Sequence, residues 1–220
     1  MTLIKSNPEF KAQRSKFFCD NFNKSQKSLE EVNLIFRRID LLCNAINEKT
    51  GKNIDAEEMY LMVISAINDD SYSLSDIDCT GLYDEMDQIF FRYLPTLYSS
   101  DTLPTLNKLR NIPRDVTISI LSNTGFVKAR TLKIALERIG LSEYFDFQLY
   151  SDEIGLSKPN LHLFNLMIEN VREVRKEFTI TQEILHIGDN PNADIFGACN
   201  AGLKSLLINS NDKTILNILN

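Results

Sequence analysis

Five polar residues lie at or near the ends of short apolar runs, and their types suit the handling of a phosphate. Ser122 and Asn123 follow VTISIL and precede a helix-forming stretch, so a hydroxyl and main-chain N–H groups can face an anion at the helix start. Lys158 precedes Pro159, a residue at home in a first helical turn. A lysine there opposes the helix dipole by about 0.3–1 kcal/mol, a mismatch that a bound anion would offset. Asp189 follows ILHI and stands behind Gly188, which permits close main-chain approach; Asp194 comes at the start of the next helix. Two carboxylates at a strand-to-helix turn suit a hard cation such as Mg²⁺, which takes oxygen ligands and keeps several waters. Each residue also has a plainer use, as helix cap, solvated lysine or Asx turn. Their order along three consecutive strand ends is what favours the chemical reading. His186, inside its strand, and His162, in the helix after Lys158, do not read as catalytic.

The elements that must position these residues fall into two rhythms. From Pro8 to Tyr98 the chain reads as helices, with no strand signal. SLEEVNLIFRRIDLLCNAINEKTGKN places Val32, Ile35, Ile39, Leu42 and Ile46 at three- and four-residue steps. Ser28 and Glu31 form a capping box for that helix, and Gly51 suits its left-handed exit. Asp55 caps the next helix, DAEEMYLMVISAIN, and another runs through GLYDEMDQIFFRYL. After Pro104 strands and helices alternate. VTISILSN, FDFQLYSD, ILHIGDN and KSLLIN are the strands. The helices between them are VKARTLKIALERIG, with Leu132, Ala135, Leu136 and Ile139 on one face, PNLHLFNLMIENVREVRKEF and ADIFGACNAG. Such alternation implies a parallel sheet with helices on both faces, and ligands at the carboxyl ends of the strands.

The composition is that of a globular protein with a buried core: 220 residues, 43% hydrophobic and 25% charged. A net charge of −6 with no basic stripe excludes a nucleic-acid backbone binder, while leaving room for a local positive pocket and a small anionic substrate. No apolar run reaches the ~18 residues of a membrane span, and no basic-then-apolar leader opens the chain, so a cytoplasmic protein is expected. Cys19, Cys43, Cys79 and Cys199 are scattered without ligand spacing and read as reduced thiols. Nothing in the sequence sets an oligomeric state.

The ordered set LSNTG, SDEIGLSKPNLHLF and HIGDNPNADIFGACNAGLKSLLIN resembles the haloacid dehalogenase-like (HAD) hydrolase superfamily, over residues 100–210. The resemblance implies an α/β fold with a Rossmann-like parallel sheet, an inserted α-helical cap and Mg²⁺-dependent phosphate-ester hydrolysis. It divides the chain into residues 1–8, what is left of the first core segment, a cap over 9–98 and a core over 99–220. The GD of HIGDN favours the phosphatase branch over true dehalogenases. Carried over, Ser122 matches the hydroxyl that bonds the transferring phosphoryl group, and Asn123 its neighbour. Lys158 matches the lysine that neutralises phosphate. Asp189 matches the acidic metal ligand, with Asp194 supporting it at the metal.

The family's first motif, an apolar strand ending in D-x-D-x-T, is not met where it should be. Met1-Thr2-Leu3 matches only its x-T-L tail. Its first aspartate is the family's nucleophile, and loss of a nucleophile costs roughly 10⁴–10⁶ in rate in comparable systems. The chain is therefore expected to be an N-terminally short form, or to have lost the motif, and to be inactive as a phosphatase. Two open strand edges are expected where the first strand would lie. Asp76-Ile77-Asp78-Cys79-Thr80 fits D-x-D-x-T literally, but the polar NDDSYSLS before it is no buried strand. Asp76 as nucleophile is thus the weaker alternative, and Asp78 and Thr80 are expected to serve turn and cap chemistry. A non-catalytic relative that binds a phosphorylated ligand or a protein partner is the competing function.

Overall fold

The computed structural model describes residues 2–112, 116–176 and 180–219. Strand β1 (Ile4–Lys5) leads into four helices: α1 (Pro8–Phe22), α2 (Leu29–Thr50), α3 (Ala56–Ile67) and α4 (Cys79–Arg92). Strand β2 (Thr96–Leu97) then returns antiparallel to β1, pairing Ile4 with Leu97. The expectation of no strand between Pro8 and Tyr98 fails at β2. Two residues are too few to show alternation, and the paired residues Ile4 and Leu97 lie 93 positions apart.

Local chemistry sets the helix ends. Asn7 caps α1 ahead of Pro8, which has no amide hydrogen to leave unpaired. Ser28 and Glu31 form the expected capping box on α2, and Gly51 closes it at φ +67°. Glu58 reaches back to the Asp55 amide at 2.9 Å. Asp78 caps α4 by accepting from Gly81 N at 3.0 Å. These helices enclose an aromatic-rich core of Phe18, Phe36, Tyr60 and Tyr83, which Phe126 joins from beyond β3. The buried row of α2 runs Val32, Ile35, Phe36, Ile39, Cys43 and Asn47. Leu42 and Ile46, expected inside, are 45% and 36% exposed. Past Ile39 the buried row follows four-residue steps alone, which turns the three-step positions outward.

After β2 come α5 (Thr102–Arg110), β3 (Ser119–Ser122), α6 (Ala129–Arg138), β4 (Phe147–Tyr150), α7 (Ser151–Ile154), α8 (Leu161–Arg175), β5 (Leu185–Gly188), a π turn (Pro191–Phe196), α9 (Gly197–Asn200) and β6 (Lys204–Leu207). Helix α5 was not expected. Pro104 sits in its first turn, where an amide hydrogen has no intrahelical acceptor, so it permits the helix rather than ending it. Part of the helix expected to run on to Phe178 lies outside the described residues.

β3 pairs in parallel with β4, from Ser119–Phe147 to Ser122–Tyr150, and β5 with β6, from Leu185–Lys204 to Gly188–Leu207. Leu121 packs on one side against Leu163, Phe164, Met167 and Ile168 of α8. Ile118 and Ile120 pack on the other side against Leu106 and Leu136 of α5 and α6. Helices therefore cover both faces. Among the described residues, β3 bonds only to β4 and β5 only to β6. No helix among the described residues is long and apolar enough to cross a membrane, and all four cysteines are free thiols.

Candidate functional site

The polar residues gather where β3 and β5 end. Ser122, last in β3, directs its hydroxyl to Asn123 O at 3.1 Å. Asn123 turns its side chain on Lys158: Oδ1 accepts from Lys158 N at 2.7 Å, and Nδ2 donates to Lys158 O at 3.0 Å. An amide side chain thus supplies both halves of a strand-like bridge to a loop residue. Lys158, 8% exposed, passes between the two parallel pairs and donates from Nζ to Leu121 O and to Asp194 Oδ1, each at 2.7 Å.

Asp194, 5% exposed, is held from every side. Its Oδ1 takes Lys158 Nζ and also His186 Nε2 at 3.1 Å. Its Oδ2 accepts the main-chain amides of Asp189 at 3.1 Å and Asn190 at 2.9 Å. Burial alone would raise this carboxyl's pKa. The lysine and the imidazole prevail and hold it well below the usual carboxylate range. His186 is pushed the other way: burial, helped by the nearby Lys158 charge, lowers its pKa despite the bond to Asp194. A neutral imidazole facing a carboxylate carries its proton on Nε2. Phe164 packs edge-on against the ring, 5.2 Å between centroids. The close seat of Asp194 also explains Gly188, since a Cβ there would stand 2.1 Å from Asp194 Cγ.

Asp189, directly after β5, accepts a 3.1 Å hydrogen bond from Thr2 Oγ1. Asn209 Nδ2 in turn donates to Thr2 O at 3.0 Å. Thr2, read from the sequence as a motif tail, therefore stands at the end of β5. Among the described residues there is no group of three or more His, Cys, Asp or Glu that could hold a metal. A carboxylate with few other protein ligands fits Mg²⁺, which keeps waters and takes phosphate oxygens, and does not fit a closed zinc site.

Glu48, at the end of α2, was not singled out in the sequence. It accepts from Asn190 Nδ2 and Asn192 Nδ2, both at 2.8 Å, and so ties the helical segment to the turn beside Asp189. Asn190 Oδ1 meanwhile caps the π turn through Asn192 N and Ala193 N. No sequence signal marks Glu48, because the pairing crosses more than 140 positions. Asp76 is placed elsewhere, in the turn before α4, where it accepts from Ser75 Oγ at 3.3 Å. It shares a surface cleft with Lys24, Tyr72 and Glu85. His162 is exposed at the start of α8.

This arrangement places the chain among α/β proteins that collect functional groups at the carboxyl ends of parallel strands. It belongs to the haloacid dehalogenase-like hydrolase family, whose sequence profile matches residues 24–202. The chain is 32% identical over 108 residues to the pyrimidine 5′-nucleotidase YjjG of Escherichia coli, covering 49% of this chain and 43% of that protein. It is 35% identical over 110 residues to the glyceraldehyde 3-phosphate phosphatase of Methanothermobacter thermautotrophicus, covering 50% and 44%. To the ribulose-1,5-bisphosphate 5-phosphatase of Halopiger xanaduensis it is 26% identical over 169 residues, covering 77% and 65%. The matches thus span less than half of the first two relatives. Among solved structures, the HAD-hydrolase YfnB from Bacillus subtilis, bound to magnesium, superposes with a TM-score of 0.70 at 18% identity, covering 96% of this chain and 86% of that one.

Proposed function

We propose that the chain binds a small phosphorylated metabolite at the ends of β3 and β5 and serves a Mg²⁺-dependent phosphate-ester hydrolysis. One observation carries this reading: a lysine ammonium almost sealed from water, anchored by a carbonyl and a carboxylate, beside the Ser122 hydroxyl and the Asp189 turn. The nucleotidase and phosphatase names of the relatives agree with it. Lys158 offsets charge on the phosphoryl group, and Ser122 Oγ donates to one of its oxygens. Asn123 and Asp194 act through Lys158: one fixes its main chain, the other its ammonium. With both oxygens of Asp194 already taken, Asp189 is the carboxylate assigned to Mg²⁺, supported by Thr2. The cation supplies charge neutralisation at the phosphoryl oxygens. Residues 9–98 act as the cap, with Glu48 closing it on the Asp189 turn.

A second reading is phosphate-ligand binding without turnover. Calorimetric titration with inorganic phosphate in the presence of Mg²⁺ tests both. Binding should be lost in Lys158→Met and should lose its Mg²⁺ dependence in Asp189→Ala; wild-type binding by Lys158→Met would overturn the site. Mg²⁺-dependent release of p-nitrophenol from p-nitrophenyl phosphate, abolished by Asp189→Ala, would decide for turnover. Saturable phosphate binding without release would decide for the second reading.

A further inference from the structure

Helix α2 is apolar on two opposite faces, and the described residues cover only one of them. The row of Val32, Ile35, Phe36, Ile39, Cys43 and Asn47 is buried against the rest of the helical segment. Leu34, Leu41 and Ala45 fall on the far side, within about 40° of one another at ~100° per residue. Leu34 is 64% exposed and Leu41 52%, and Ala45 is exposed with them. Leu42 and Ile46 widen the same surface along one flank. Single exposed leucines are ordinary, but a contiguous apolar strip over about three helical turns marks an interaction surface. A surface helix needs one apolar stripe to join its own core, so a second stripe suits a second packing partner.

The charges along this face indicate what covers it. Glu30 and Glu31 stand in the first turn of α2, Arg37 and Arg38 near its middle, and Lys49 in its last turn. Glu30, Arg38 and Lys49 make no ion pair among the described residues. Turned end for end about a point between Ile39 and Asp40, the helix complements itself. Leu34 then meets Ala45, whose small side chain leaves room for it. Leu41 meets Arg38 and Leu42 meets Arg37, and arginine stems lie along apolar surface with their heads in water. Lys49 comes beside Glu30 and Glu31. A parallel pairing would instead set Arg38 on Arg38 and Lys49 on Lys49. End-for-end reversal is what a twofold axis imposes when one patch meets its own copy. An anionic membrane is a poorer fit, because it calls for a basic cluster and this face mixes both signs.

We propose that the outer face of α2 is a homodimer interface, in which the α2 helices of two copies pack antiparallel across a twofold axis. Leu34 and Leu41 are its apolar centre, and the pairs of Lys49 with Glu30 and Glu31 are its rim. One helix per copy, with ~17 Å between Leu34 and Ala45, makes a contact of the small class, so the dimer is reversible and forms in the micromolar range.

Sedimentation velocity of the full chain from about 5 to about 500 µM tests this, without phosphate or Mg²⁺. The expected result is a monomer at the low end of that range and a dimer at the high end. The double variant Leu34→Glu/Leu41→Glu changes two exposed side chains. It should stay monomeric throughout, with the melting temperature of the dilute wild type. Lys49→Glu and Glu30→Lys should each self-associate several-fold more weakly than wild type. An equimolar mixture of those two should recover the loss, because in the mixed dimer both contacts between positions 30 and 49 join opposite charges. A wild-type chain that is monomeric over the whole range overturns the dimer, and so does a dimer that survives Leu34→Glu/Leu41→Glu. No recovery in the mixture overturns the antiparallel pairing. Flotation of a monomeric wild type with phosphatidylserine vesicles, lost in Leu34→Glu/Leu41→Glu, would assign the face to a membrane and overturn the dimer as well.

Discussion

Asn123 and Lys158 hold each other by two hydrogen bonds, 2.7 Å and 3.0 Å, between one side-chain amide and one main-chain residue. Both stood out in the sequence as contacts for the same anion. The geometry makes one the frame of the other: an Asn at the end of β3 can pair with a loop residue as a strand would, and this fixes where the lysine side chain begins. Electrostatic stabilisation of a phosphoryl group gains from donors that need no reorganisation when charge develops.

Asn123→Ala removes both bonds and leaves a part-buried amide and carbonyl of Lys158 unpaired. The expected loss is about 1–3 kcal/mol in unfolding free energy, read by urea denaturation, with phosphate affinity weakened at least several-fold. Asn123→Asp keeps the acceptor and loses the donor, so its stability should fall between the two. Equal stability of all three proteins would show that the bridge does not position Lys158.

Asp194 offers the largest single effect. Asp194→Asn leaves the buried ammonium of Lys158 facing a neutral amide, and breaking a buried pair costs roughly 3–5 kcal/mol. For a chain of this size each kcal/mol lowers the melting temperature by about 2–4 °C, so a fall near 10 °C is expected. The carboxyl's pKa is depressed in the folded state. Its contribution is therefore fully present above the unfolded value of about 3.9 and is lost as pH falls through the folded value. Melting curves of wild type and variant should be furthest apart near neutral pH and converge in strong acid. A constant gap down to pH 2 would show that the charge of Asp194 is not what stabilises the pair.

Much of this was legible because it is local. The capping box of Ser28 and Glu31, the Gly51 exit, and the strand ends at Ser122 and Gly188 each depend on neighbours within four positions. The resemblance supplied the family and the ordering of the strand ends. What could not be read was long-range. Glu48 meets Asn190 only because α2 folds over the β5 turn, and β1 finds β2 across the whole helical segment. The rotation of α2 that exposes Leu42 and Ile46 likewise depends on which neighbours it packs against, since both rows are apolar.

Glu48 joins the helical segment to the turn beside Asp189 through two amide donors. Glu48→Ala should cost about 1.5–3 kcal/mol, in the range of hydrogen bonds to a charged acceptor. It should also raise amide exchange across residues 189–193 more than in the β3–β4 pair. Exchange rising equally in both places would assign the loss to general destabilisation rather than to release of that turn.

If Asp189 holds Mg²⁺ as proposed, Thr2 bears on that cation most directly. Its hydroxyl donates to Asp189 Oδ1, and its carbonyl is held by Asn209, so the carboxylate is aimed by a residue itself tied to the segment after β6. Thr2→Val keeps the shape and removes the donor. A net hydrogen bond is worth about 0.5–1.5 kcal/mol, and partners that orient metal ligands commonly change affinity by roughly 10-fold or more. Mg²⁺ titrated in the presence of inorganic phosphate should therefore bind several-fold more weakly to Thr2→Val, with Thr2→Ser close to wild type and the unfolding midpoint little changed. If Thr2→Val and Thr2→Ser bind Mg²⁺ alike, the hydroxyl does not orient Asp189, and the cation is held without help from Thr2.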